Sequence, residues 1–419
     1  MIALLAQCAY LSETSRMIEV YRALTARGAT VRVATHGGVH RNLLTAAGIP
    51  HEVIGPPMSD ERGARFVADA LGLGNVRQSM YSDAELRAYV LAEAAWLKKY
   101  DARCVVTGFL LTAQLSSRLA GIPLVTTHTG SWVPPVWENG LLPADPPVPA
   151  MRLIPALLRR RLINAAPNRV RYYTAGFNRV ADDLGVERIP SLAALVLGDL
   201  TLVTEIPEVL GVPAEDMAAW RGSRGYRPGT RLAYSGPLYA KLDVPIPPHV
   251  EEFLDQPGPI VYVALTSSSP GLVRAVAAEA GKAARVLVAG TVHAIGDLHS
   301  GRTCVAGVLP SHLVMPRVDL AITTAGQGSV QTAMAAGTPL LAVPLQPEQT
   351  LNAVLVERLG AARRLPPAAT TKAAALVRKM LGDDGYRLAA KRVKGWYDAV
   401  DGPARAADHI LALAGASMP

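Results

Sequence analysis

Aromatic side chains are scarce in this chain, at 5% of 419 residues. They do not interleave with basic residues, as a surface that stacks single-stranded nucleic acid requires, so nucleic acid is not an expected partner. Charged residues are also few, at 18%, while half the chain is hydrophobic; this composition excludes disorder and fits a folded globular protein. Cys8, Cys104 and Cys304 are far apart and each sits in an apolar run. They read as reduced core residues, which points to the cytoplasm. Mean hydropathy is +0.21, yet no apolar run approaches the ~18–20 residues of a membrane span. The apolar start, Met1 to Tyr10, has no basic residue ahead of it and no small-residue cleavage site, so it reads as a buried first strand and not as a leader. No His, Cys, Asp or Glu group has metal-ligand spacing, and no Gly-x-Ser-x-Gly elbow occurs. No carboxylate pair suggests glycoside hydrolysis.

What charge there is leans positive, with a net +8 and a pI of about 9.5. The densest basic stretch runs from Arg152 through Arg159, Arg160, Arg161, Arg169 and Arg171 to Arg179. It reads as a solvated arginine-rich helix. Its neighbours Leu153, Ile154, Leu157 and Leu158 keep peripheral contact with an anionic membrane open as a second reading.

The length exceeds one ordinary core, so two domains are expected. Ile2 to Ala6, Thr30 to Ala34, Cys104 to Thr107 and Leu124 to Thr127 are strand-like. Between them, Ser15 to Arg27, Arg41 to Ala47 and Ala113 to Leu119 have helical spacing. Continuous apolar strands alternating with helices predict a parallel sheet covered on both faces. Prolines and glycines crowd between Tyr226 and Pro248, as at a domain joint. The alternation then restarts with strand Ile260 to Leu265, helix Leu272 to Gly281 and strand Arg285 to Ala289. Ala-Gly-Ile-Pro at 47–50 and 120–123, and Ala-Gly-Thr-Pro at 336–339, each end a helix on glycine and forbid its continuation with proline.

The most informative stretch is Asp319 to Gln349. An apolar strand enters a glycine turn, Gly326-Gln327-Gly328, and Ser329 opens an Ala-rich helix that stops at Gly337. A second apolar strand, Leu340 to Val343, leads to a polar loop. Orphan amides and the helix dipole at such a turn favour an anion, here most naturally a phosphate.

Thr324-Ala325-Gly326-Gln327-Gly328-Ser329, then Gly337-Thr338-Pro339, then Pro344 through Glu348-Gln349 and Asn352, resembles the donor side of a family 1 glycosyltransferase of the bacterial natural-product group. Val308-Leu309-Pro310-Ser311-His312 resembles that family's base-stacking segment, and Thr266-Ser267-Ser268 its small-residue loop under the donor sugar. Asp401-Gly402-Pro403-Ala404 resembles the start of its last helix. The resemblance implies the α/β GT-B fold, two Rossmann-like doubly wound domains facing a central cleft. It divides the chain into an acceptor domain at 1–232, a linker at 233–248, a donor domain at 249–395 and a helix at 396–419 that crosses back. It also implies an inverting, metal-independent hexosyltransferase, active on an apolar small-molecule acceptor such as a polyketide or another natural product, antibiotics included. No resident cofactor is expected, and the sugar nucleotide is a co-substrate. Monomer and homodimer both remain open.

On this resemblance Ser267, Ser268, Leu309, Thr324, Gly326, Gln327, Gly328, Ser329, Glu348 and Gln349 bind the donor, with the last two on the sugar hydroxyls. Thr324 replaces the family's histidine at the diphosphate and Ala325 the glycine after it; Thr332 stands where UDP-sugar enzymes carry a ribose-binding Glu, which favours TDP over UDP. Ser12-Glu13 replaces Gly-His in the first loop, and Thr107 replaces the Asp that orients that His. Glu13 is therefore the first candidate base, with desolvation raising its pKa, and His128 the second. Tyr10, Trp132 and Trp137 are candidate acceptor-wall residues; His36 and His40 are weaker candidates at the same edge. These departures also admit a non-catalytic homologue that assists a partner. An epimerase would need a carboxylate and His array around the donor sugar that the sequence lacks.

Overall fold

The computed structural model describes residues 1–70, 80–143, 151, 153–266, 268–290 and 295–416. The chain divides into two compact units, Met1–Leu238 joined by the stretch from Asp401 onward, and Tyr239–Val400.

The first unit holds seven strands: β1 (Ile2–Leu5), β2 (Val31–Thr35), β3 (His51–Val53), β4 (Cys104–Thr107), β5 (Leu124–His128), β6 (Leu200–Val203) and β7 (Arg231–Tyr234). Their order is β3-β2-β1-β4-β5-β6-β7, with every pair parallel. The chain winds outward from β1 to β3, returns to place β4 beside β1, and winds outward the other way. Ile2 is in register with both Val31 and Cys104, so β1 is central, and all four of its residues are buried. That burial on both faces is why Ile-Ala-Leu-Leu shows no polar alternation.

Helix Leu11–Thr25 covers one face with Met17, Val20 and Leu24. The last helix, Gly402–Ala416, sets Ala406, Ala407 and Ile410 into the same core. Helix Leu11–Thr25 begins four residues before the expected Ser15, because Tyr10 leaves the loop extended and the polar Ser12 and Glu13 form the first turn. Edge strand β3 had no sequence signal, being only three residues long.

The second unit repeats the plan with β8 (Ile260–Ala264), β9 (Arg285–Ala289), β10 (Thr303–Ala306), β11 (Leu320–Thr323), β12 (Leu340–Ala342) and β13 (Ala362–Arg364), in the parallel order β10-β9-β8-β11-β12-β13. Val261, Val263, Ile322 and Leu341 meet Val273, Val276 and Ala280 of helix Pro270–Gly281 in its core. Gly48, Gly121 and Gly337 all adopt left-handed φ, at 67°, 72° and 73°, and each is followed within three residues by the next strand. The three repeated tetrapeptides are thus helix-to-strand crossovers. In each sheet the winding reverses between two neighbours, β1/β4 and β8/β11. Ligands of open α/β sheets gather at the carboxyl ends of such strands. Among the described residues, no helix is long and apolar enough to cross a membrane.

Candidate functional site

In the second unit, β11 ends at Thr323 and helix Gln327–Ala336 begins after three intervening residues. The short connection is possible because Ala325 takes φ +60°, a left-handed conformation that costs a non-glycine residue about 1–2 kcal/mol. The Ala325 N–H donates to the Thr323 hydroxyl at 3.0 Å, and its carbonyl accepts from Asn352 Nδ2 at 3.0 Å. Gly326 caps the helix in an extended conformation. Its carbonyl accepts the Ser329 hydroxyl at 2.9 Å and the Val330 N–H at 3.1 Å. The N–H groups of Gly328 and Ser329 have no acceptor among the described residues. Gly326, Gly328 and Ser329 are half-buried, whereas Thr324 and Gln327 are buried. The turn therefore offers backbone donors at a helix N-terminus, where an anion is favoured.

The neighbouring loops converge on this edge. After β8, Ser268 donates its hydroxyl to the Leu265 carbonyl at 2.7 Å, and Ser269 caps the next helix; Ser267 lies outside the described residues. After β12, Asn352 also donates to Glu348 Oε1 at 2.6 Å, so one buried amide fastens the acidic loop to the turn. Gln349 is buried, and its Oε1 accepts the Leu345 N–H at 2.8 Å. That oxygen shapes the loop, so it does not point freely at a sugar. Leu309 is only 4% exposed, so its side chain packs inward and cannot stack on a base; its neighbour Val308 is the exposed one. Thr332 is buried and returns its hydroxyl to the Gly328 carbonyl at 2.8 Å.

In the first unit, Glu13 stands in the first turn after β1, beside the β1/β4 switch point. Its Oε1 accepts the Gly108 N–H at 2.9 Å, just past β4, while Oε2 is buried without a hydrogen-bond partner. A Cβ at 108 would sit 1.6 Å from Oε2, so glycine there leaves the carboxylate its place. Burial pushes the Glu13 carboxyl up from its ordinary value, against the opposing pull of Arg16 and of backbone N–H groups, Gly108 foremost. Arg16, one turn further on, donates from Nη1 to the Thr127 carbonyl at the end of β5, 2.8 Å away. His128 follows directly. It is buried, its Nε2 lacks a hydrogen-bond partner, and burial first and Arg16 second depress its pKa to about 3. A neutral imidazole with that pKa is a far weaker base than Glu13.

The aromatic residues separate into two groups. Tyr10 is half-buried and meets Phe66 and Phe109 edge-on, at 6.1 and 5.7 Å between ring centres. Phe109 adjoins Gly108, so these rings lie next to Glu13 along the chain. Trp137 is 1% exposed, and its indole N–H donates to the Tyr226 hydroxyl at 3.0 Å. It packs the core and presents no face to a ligand; Trp132 leans on it at 5.7 Å and is half-buried. His36 is also structural, its two ring nitrogens facing the Ile54 carbonyl and Glu93. Sequence reasoning missed Arg16, Gly108, Phe66 and Phe109, none of which stands in a motif.

Residues 310–392 match the family model of the glycosyltransferase family 28 C-terminal domain. The PGL/p-HBAD biosynthesis glycosyltransferase of Mycobacterium tuberculosis is 27% identical over 319 residues, covering 75% of this chain and 71% of the relative. The PGL/p-HBAD biosynthesis rhamnosyltransferase of Mycobacterium bovis is 26% identical over 356 residues, 82% of this chain and 74% of that protein. The solved structure of the glycosyltransferase VinC in complex with DTDP superposes with a TM-score of 0.66 at 14% identity, over 99% of this chain and 100% of VinC. With two parallel sheets in doubly wound order, the chain has the GT-B fold. Its sequence is similar to those glycosyltransferases, and its fold is the one shared with solved GT-B structures.

Proposed function

We propose that this protein transfers a sugar, with inversion, from a nucleoside diphosphate sugar to a hydroxyl of an apolar acceptor. The observation that carries the reading is the turn at 326–329, whose unpaired Gly328 and Ser329 amides stand at a helix N-terminus on the β8/β11 edge. Such donors stabilise the charge that grows on a departing diphosphate. Glu348 is held beside them by Asn352 and serves the sugar hydroxyls. TDP is favoured over UDP because Thr332 offers no carboxylate to a ribose 2′-hydroxyl. The DTDP complex of VinC agrees with that preference.

On the acceptor side, Glu13 takes the hydroxyl proton as the acceptor oxygen bonds to the anomeric carbon. The bond from that carbon to the diphosphate oxygen breaks, and the electron pair leaves with the diphosphate. Burial tunes the carboxylate for this work. Tyr10 and Phe109 offer an aromatic wall next to it, suited to an apolar, ring-bearing aglycone. A decisive test is calorimetric titration with TDP, UDP and GDP, followed by mass spectrometry of reactions with TDP-sugars and hydroxylated aromatic acceptors. Tight, selective TDP binding and an acceptor mass increased by one sugar are expected. Binding of none of the three nucleotides would overturn the reading.

A further inference from the structure

Helix Ala156–Ala165 is built inside out. Asn164 is its one buried residue, and it is held by hydrogen bonds: its Oδ1 accepts the Leu142 N–H at 3.0 Å, and its Nδ2 donates to the Leu142 and Arg160 carbonyls at 3.2 and 2.8 Å. The leucines are exposed, Leu157 at 80%, Leu158 at 50% and Leu162 at 47%; Leu153, just before the helix, is 89% exposed. A soluble helix ordinarily buries that apolar stripe against its own core. Here a polar residue is buried and the apolar ones are exposed.

The sequence around this helix carries charge of one sign, with Arg179 at its far end paired to Asp83. From residue 146 to 181 the sequence contains seven arginines and no aspartate or glutamate. Arg161, Arg169 and Arg171 are exposed and have no hydrogen-bond or ion-pair partner among the described residues. Tyr172 and Tyr173, 50% and 43% exposed, follow in the sequence with rings that combine an apolar body and a polar tip.

We propose that this helix and its flanks seat the protein on an anionic lipid surface. The leucines enter the headgroup–acyl boundary, the arginine heads reach lipid phosphates, and the tyrosines sit at the level between. A lipid surface fits better than a folded protein, because exposed leucines flanked by arginines gain burial at the headgroup–acyl boundary without needing a shaped counterpart. The inference is independent of the donor turn and of Glu13, so either can fail without the other.

The test is flotation of the full chain with phosphatidylcholine vesicles, neutral or doped with phosphatidylglycerol. The protein is expected on the doped vesicles at low salt, released as salt rises, and absent from the neutral ones. Leu157→Ser with Leu158→Ser, and separately Arg161→Ser with Arg169→Ser and Arg171→Ser, change exposed side chains and leave the melting temperature unchanged. The leucine pair is expected to abolish binding, and each lost arginine to weaken it roughly fivefold. Failure of the parent chain to bind doped vesicles overturns the proposal, as does unchanged binding by both variants. A dimer that the leucine variant dissolves, without any vesicle binding, also overturns it and makes the face a contact between copies.

Discussion

Replacing Glu13 with glutamine keeps the shape of the site and removes its charge. The glutamine carbonyl oxygen can still accept the Gly108 N–H that Oε1 now takes at 2.9 Å, so the loop joining β1 to the edge of β4 stays in place. An amide cannot accept the acceptor's proton. A positioned general base contributes about 10²–10⁴-fold, so Glu13→Gln should lower kcat by that factor, about 3–5 kcal/mol of barrier, with TDP affinity unchanged.

The pH profile sharpens the test. Only the ionised carboxylate is a base, and burial holds the Glu13 pKa above its ordinary value of 4.5. The parent's kcat therefore rises with pH through that raised value and then levels, and in the glutamine variant this step is missing. Stability runs the opposite way. The folded chain holds the Glu13 proton more tightly than the unfolded chain, so this group's contribution is present at low pH and lost as pH climbs through the folded value. The assay is initial transfer rate against pH, with thermal melts alongside. Gly108→Ala is the companion, because its Cβ would sit 1.6 Å from Oε2 and drive the carboxylate out of place. A glutamine variant within a few-fold of the parent that retained the pH step would refute the assignment of the base.

Further expectations concern the donor turn. Gly328→Asp places a carboxylate against the helix N-terminus, so the melting temperature should hold or rise slightly, while the diphosphate loses two charge-assisted hydrogen bonds and calorimetric TDP affinity falls roughly 10²–10⁴-fold. Ala325 is fully buried at φ +60°. Ala325→Gly should be nearly neutral, since relief of about 1–2 kcal/mol of strain is offset by backbone entropy and a lost methyl contact, whereas Ala325→Val should cost about 2–4 kcal/mol in denaturant unfolding. Asn352→Ala unfastens Glu348 from the Ala325 carbonyl. It should raise KM for the sugar nucleotide more than it lowers affinity for free TDP, and equal losses for both would count against a sugar-binding Glu348.

The sequence by itself determined what is local. Apolar runs named β4 and β9 to the residue, glycine followed by proline marked three crossovers, and the string from Thr324 to Ser329 lay in one unbroken segment. Such features depend on backbone conformations that a few neighbouring residues impose. Tertiary structure alone decided what depends on distant partners. Glu13 meets Gly108, and Arg16 meets Thr127, only because parallel register sets β1 beside β4 and β5 next in line. The winding order, not composition, brings those residues together. Packing also chose between similar side chains. Trp137 went to the core while Phe109 stayed half-exposed near Glu13, and Asn164 turned inward while Leu157 turned out. Hydrophobicity along the chain says which residues prefer burial, but the shape and hydrogen-bonding needs of the assembled body select which of them obtain it.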